Sequence, residues 1–197
     1  MNTNRKIEIL DAFMVLVGRY GVDKTTMQDV AKEVGISVGV IYKDFKNKED
    51  LIELYMQRMN LQINALMDHI LEQELSSEKM LHDLFIKLYQ HIYKLSSENR
   101  GFWQYLHGGE GSKCFRNIKK SHENDPGNLI KRIEKVMQKG VNDGSFEIED
   151  VSKTAVLFSR AFKGIFPNLM TFGKNWDNAI VDFEDMFAFL IKAIRKA

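Results

Sequence analysis

The stretch TTMQDVAKEVGISVGVIYKDFKNKEDL, residues 25–51, decides how this chain folds. Thr26-Met27-Gln28-Asp29 has the pattern of a capping box, in which a hydroxyl accepts from an early helix N–H and an acid three residues on reaches back. Val30, Ala31 and Val34 follow at helical spacing, and Gly35 is a natural C-terminal stop. Ser37, only two residues later, is placed to cap a second helix. So short a joint cannot return the chain antiparallel, and the two helices must cross steeply. Ile41 and Phe45, four apart, share the face of the second helix that suits burial. Gly39, Val40 and Lys43 then point the opposite way, with Tyr42 and Asp44 on the flanks. Asn47 is placed to cap a third helix, with Lys48, Glu49 and Asp50 in its first turn. This is the layout of a helix-turn-helix, whose second helix enters the major groove of DNA.

Read outward to about Arg5 and Leu54, the segment closely resembles the DNA-binding domain of the TetR family of bacterial transcriptional repressors. The residues that carry the resemblance are Ile9-Leu10-Asp11-Ala12 and Gly21, then Thr25-Thr26-Met27 and Val30-Ala31. They continue through Val34-Gly35-Ile36-Ser37, Gly39, Ile41-Tyr42, Phe45 and Lys48-Glu49-Asp50-Leu51. The resemblance implies a DNA-binding set of Thr26, Met27, Gln28, Ser37, Val38, Gly39, Val40, Tyr42, Lys43, Asp44 and Lys48. Thr26 and the free N–H groups beside it would hold a phosphate at the positive end of the helix. Tyr42 and Lys48 would also contact the backbone, which sets register without reading sequence. Lys43 would donate to guanine O6 and N7, and Val38 and Val40 would touch thymine methyls. Gly39 would let the backbone come close to the duplex. Three residues depart from the family's habit: Val38 and Val40 make the recognition helix unusually apolar, and Asp44 must accept from cytosine N4 or face away.

Charge sets a limit on how DNA is held. The chain carries 28 Lys and Arg against 27 Asp and Glu, a net of +1. Residues 1–48 hold eight basic side chains against six acidic ones, so binding by nonspecific phosphate attraction alone is excluded. A dimer with a few placed contacts needs no such excess. Residues 113–139 are more basic, eight against three, and read as a solvated helix face. Cys114, the one cysteine, cannot form an internal disulfide and reads as inert in a reducing cytoplasm. No signal-peptide core and no apolar run long enough to span a bilayer is present, so a cytoplasmic location without membrane contact is expected.

An all-α fold is expected, with residues 1–48 as the DNA-binding domain and 49–197 as a helical body for effector binding and dimerisation. Two prolines in the whole chain leave little to interrupt helices. Helices are predicted over residues 49–73, 77–95, 102–106, 128–142, 150–171 and 177–196, with residues 114–123 as a further candidate. Asn142-Asp143-Gly144 reads as a stop and Asp150 as a cap. On 151–171, Val151, Ala155, Phe158, Phe162, Ile165 and Leu169 form one apolar stripe, while Val156, Leu157, Ala161 and Gly164 form a second. A monomer's surface helix should show only one. With Phe183, Phe187, Leu190 and Ile191 of the last helix, the second stripe is expected to form the dimer interface, as the family resemblance implies. Twofold symmetry also suits an inverted-repeat operator in double-stranded DNA.

Phe85, Tyr89, Tyr93, Phe102, Trp103, Tyr105, Met137, Phe158, Phe162 and Phe166 are candidates for a pocket that binds an apolar or aromatic small molecule. The same residues at helical spacing also suit a plain core. The resemblance implies that an effector there swings the long helix after residue 49. Catalysis is not expected. Gly108-Gly109-Glu110-Gly111-Ser112-Lys113 lacks the spacing of a phosphate loop, and no nucleophile motif is present. The histidines show no metal-ligand spacing, so no metal and no cofactor are expected. The leading expectation is therefore a homodimeric repressor released from its operator by a small-molecule ligand. The alternatives are a helix-turn-helix regulator controlled by a protein partner, and a ligand-binding protein whose DNA function has decayed.

Overall fold

The computed structural model describes residues 3–108, 129–164 and 176–196. Among these, the chain forms α1 Thr3–Tyr20, α2 Met27–Val34, α3 Val38–Asp44, α4 Lys48–Leu71, α5 Ser77–Glu98 and α6 Arg100–His107. There follow α7 Leu129–Asn142, α8 Val151–Lys163 and α9 Trp176–Lys192. The all-α expectation holds. Cys114, Phe166, most of the glycine-bearing loop after Gly108, the expected 114–123 helix and the end of the expected 150–171 helix lie outside the described residues.

The described residues within Met1–Leu61 and Leu95–His122 pack as one compact unit, and those within Gln62–Lys94 and Glu123–Ala197 as a second. The first is built around Ile9, Leu10, Phe13 and Val17 of α1, Val30 of α2, Ile41 of α3 and Leu51 and Ile52 of α4, all essentially without exposure. α6 closes on α1 where Gly101 sits: a Cβ there would lie 3.5 Å from the Val17 carbonyl oxygen. Phe102 meets the Tyr55 ring edge-on at 4.8 Å, and an Arg58–Asp11 ion pair of 2.6 Å spans α4 and α1 on the surface.

The second unit is organised by aromatic rings. Phe162 of α8 lies 4.2 Å from Phe85 of α5 and 5.1 Å from Phe183 of α9, centroid to centroid. Phe187 follows Phe183 at 6.0 Å and Tyr89 stands edge-on to Phe183 at 6.1 Å. Burial pushes the Tyr89 phenol well above its ordinary range. Arg132 of α7 is almost fully buried and forks onto α4. Its Nε and Nη2 donate to Asp68 at 3.1 and 2.8 Å, and its Nη1 donates to Asn64 at 3.1 Å. At Gly140 the ring of Phe146 occupies the place a Cβ would take, so only glycine fits.

Several helix ends differ from the sequence reading, among them both ends of the expected 102–106 helix, which runs Arg100–His107. α5 continues to Glu98, one turn beyond the expected end, and α4 stops at Leu71, two residues short. The last helix stops at Lys192 because the chain after it pairs with the α7–α8 connection. Glu147 N–H donates to the Ile194 carbonyl at 2.8 Å and Lys196 N–H to the Ser145 carbonyl at 3.1 Å, an antiparallel bridge of Phe146 with Arg195.

The α7 stop is held by Asp143, whose carboxylate accepts from Ser145 Oγ at 2.5 Å, from Ser77 Oγ at 2.8 Å and from the Ser145 N–H at 3.1 Å. These hydrogen bonds, the Ser145 hydroxyl foremost, hold the Asp143 carboxyl far below the usual value of 3.8. A depressed carboxyl contributes stability above its unfolded value, and that contribution is lost as pH falls toward the folded one. Asp143→Asn should therefore melt below the wild type at neutral pH, with the gap narrowing steadily under about pH 4. Melting curves of both proteins from pH 7 downward check this; a gap independent of pH rejects it.

Candidate nucleic-acid interface

The capping box forms in full. Thr26 Oγ1 accepts from Asp29 N–H at 3.1 Å, and Asp29 Oδ2 accepts from the Thr26 N–H at 3.0 Å and its hydroxyl at 2.6 Å. Those bonds, led by the Thr26 hydroxyl, lower the Asp29 carboxyl below its ordinary value. The Thr26 hydroxyl proton is thus already committed within the helix start. Gly35 ends α2 at φ 75°, in the left-handed region that glycine enters without strain, and its N–H returns to the carbonyls of Ala31 and Lys32. Ser37 stands at the N-cap of α3 with extended backbone, yet its side chain makes no capping bond. Asn47 caps α4 as expected, accepting from Asp50 N–H at 3.0 Å.

α3 buries one face and presents the other. Ile41 is fully enclosed and Phe45, at the helix end, nearly so, with the Lys6 ammonium 5.6 Å from the centre of the Phe45 ring. Thr26, Gln28, Ser37, Gly39, Tyr42 and Lys43 are exposed, while Val38, Val40 and Lys48 are half-buried. Met27 departs from the expected set: with 7% exposure it belongs to the core of the first unit, because the first turn of α2 aims it inward with Val30. Asp44 takes the second of its two alternatives and faces away from the exposed side. Its carboxylate accepts from Arg5 Nε at 2.8 Å and pairs with Nη2 at 2.6 Å, and its side chain is only 6% exposed. Lys48 is also engaged within the fold, donating to the Val22 carbonyl at 2.9 Å and the Asp23 carbonyl at 3.5 Å. It therefore ties the start of α4 to the turn before α2. Arg5 was missed as a partner because its counter-charge lies 39 residues away, beyond any local spacing rule.

The other expected sites divide. Phe85, Tyr89, Met137, Phe158 and Phe162 come together in the core of the second unit, and the Tyr93 ring lies 5.1 Å from that of Trp176, tilted against it, in that unit. Phe102 and Trp103 are buried in the first unit, where Tyr105 is half-buried. Of the expected dimer residues, Phe183, Phe187 and Ile191 face their own core, which corrects their assignment. Together with Ala179 they repeat every four residues along the buried side of α9. Leu157 is exposed, as is Gly164, while Val156, Ala161 and Leu190 are half-buried. Val181 and Phe189, not singled out from the sequence, are 60% and 72% exposed. Among the described residues no three His, Cys, Asp or Glu side chains are grouped to hold a metal, and no helix is long and apolar enough to cross a membrane.

Comparison with known proteins gives this geometry its context. The family model for bacterial regulatory proteins, tetR family, matches residues 9–55. The Bacillus subtilis fatty acid metabolism regulator protein is 33% identical over 75 residues, 38% of this chain and 39% of that one. An uncharacterized HTH-type transcriptional regulator of Haemophilus influenzae is 27% identical over 117 residues, 59% of this chain and 60% of that one. The chain thus spans less than two thirds of the length of these two curated relatives. Among solved structures, SmeT, the repressor of the Stenotrophomonas maltophilia multidrug efflux pump SmeDEF, superposes with a TM-score of 0.67 at 18% identity, covering 97% of this chain and 90% of that one. A transcriptional regulator from Cytophaga hutchinsonii does so with a TM-score of 0.70 at 18% identity, covering 95% and 97%. Residues 9–55 thus match the tetR family of bacterial regulatory proteins, and they are set in a fold shared with solved transcriptional regulators.

Proposed function

We propose that the protein is a cytoplasmic, homodimeric transcriptional repressor that occupies an inverted-repeat operator and is released by a small, largely apolar ligand. The observation that carries the DNA half of this reading is the two-sidedness of α3. Ile41 and Phe45 are spent on the core, and Ser37, Gly39, Tyr42 and Lys43 are left exposed on a helix short enough to enter a major groove. Lys43 is the base-reading donor, with Val38 and Val40 against thymine methyls. Thr26, Gln28 and Tyr42 lie toward the phosphates. Lys48 serves by holding the turn before α2 and by adding one positive charge near the backbone. Met27 and Asp44 support the surface from beneath.

Dimerisation is assigned to α8 and α9, through Leu157, Val181 and Phe189 with Val156, Ala161, Gly164 and Leu190 around them. Apolar side chains this exposed on two neighbouring helices suit a second copy of the same face. The effector half draws on the aromatic interior of the second unit and on the relatives. One is named a fatty acid metabolism regulator, another structure of this fold is a fatty acid degradation regulator from Bacillus halodurans, and SmeT is known in complex with triclosan. An acyl chain or an apolar aromatic compound is accordingly the proposed effector class. The close stacking of Phe85 on Phe162 favours a second reading, a regulator controlled by a protein partner instead of an internal ligand.

A nuclease footprint on the DNA upstream of the protein's own gene should show a protected inverted repeat; absence of protection on genome-wide selected DNA as well would reject the operator reading. Lys43→Ala should cost about 1–3 kcal/mol at particular base pairs only. Lys48→Ala should weaken binding to every sequence alike and lower the salt slope by about one. Equal losses for both variants on specific and random DNA would overturn this division of roles. Leu157→Asp should convert the dimer to monomer in sedimentation and abolish the footprint while leaving the helical circular dichroism intact.

A further inference from the structure

The interior of the second unit holds few polar side chains, and Ser77, Arg132 and Asp83 among them have partners. Ser77 donates to Asp143, Arg132 forks onto Asp68 and Asn64, and Asp83 pairs with Lys79 and Lys87. His91 of α5 differs. Its Nε2 is shielded from solvent and meets no hydrogen-bond partner. A buried nitrogen left unpaired costs free energy that an apolar side chain in the same place would not, so an orphan in a native interior calls for a use.

The surroundings indicate what that use is. On α5, His91 continues the face of Leu84 and Leu88, seven and three residues before it, both buried. Phe85 and Tyr89, about 100° further round the helix, are closed by the rings of Phe162 and Phe183. The unspent nitrogen is therefore at the end of an aliphatic face, not within the filled aromatic stack. Lys87 and Lys94 lie four residues before and three after His91, on its side of the helix. Lys87 shares the Asp83 carboxylate with Lys79, so one acid meets two cations there, which favours an anion nearby.

We infer that His91 is the polar contact of the effector site, donating from Nε2 to the carboxylate of a ligand whose remaining body is an apolar chain. This rests on the effector reading given above and narrows it: the ligand is an amphipathic acid, and its head is fixed on the His91 face of α5. His91→Leu removes the contact without opening a void, and His91→Gln restores a donor.

The test is isothermal titration of the full chain with dodecanoate, with dodecan-1-ol of the same chain length, and with triclosan, beside thermal melts of the ligand-free proteins. Dodecanoate should bind the wild type more tightly than the alcohol does. His91→Leu should lose about tenfold or more of the dodecanoate affinity, His91→Gln should recover part of it, and the alcohol should hardly notice either change. Ligand-free His91→Leu should melt no lower than the wild type, because it sheds an unpaired group. Equal dodecanoate affinity in wild type and His91→Leu overturns the assignment of His91, as does a lower melting point of ligand-free His91→Leu that His91→Gln repairs. If triclosan binds and releases the operator but dodecanoate does not bind, the acidic ligand is wrong and the effector reading stands. If none of the three binds, the effector reading falls as well.

Discussion

A helix of seven residues has no stability of its own, since it forms barely more hydrogen bonds than its nucleation costs. α3 exists because the first unit holds it. Ile41 and Phe45 are buried beneath it, Gly35 turns the chain into it at a backbone angle other residues resist, and the Arg5–Asp44 pair pins its last turn to α1. Lys48 does the same for the far side by bonding the carbonyls before α2. What is left to meet DNA is whatever those constraints do not use. This is why the presented surface is small, and why modest net charge suffices when each contact is placed in advance.

Legibility followed range. The cap at Thr26, the stop at Gly35, the cap at Asn47 and the cap at Asp150 depend on atoms within four residues, and the sequence reads them directly. Arg5 with Asp44, and Arg132 with Asp68 and Asn64, depend on partners 39 to 68 residues away, and no spacing rule reaches them. Met27 is an intermediate case. The resemblance places it among DNA-facing residues, while the one-residue step of 100° about the α2 axis turns it from Gln28's exposed side to the core.

α9 shows a further limit. Apolar residues occur nearly all round it, so periodicity alone cannot say which stripe a protomer keeps for itself. The answer comes from α8, whose Phe162, already against Phe85 of α5, takes Phe183 and Phe187 as further ring partners. Val181 and Phe189 are what remains. The end of α9 was misjudged for a related reason: Ile194 looks helical by spacing, but its carbonyl is claimed by Glu147 from another part of the chain.

The Arg132 fork gives α4 a mechanical property. Its donors grip Asn64 and Asp68, which are one helical turn apart, so the grip has a pitch. A slight slide of this end of α4 along α7 would stretch both attachments without supplying replacements. The junction therefore resists sliding in both directions along the helix axis, as a two-point clamp does and a single hydrogen bond does not.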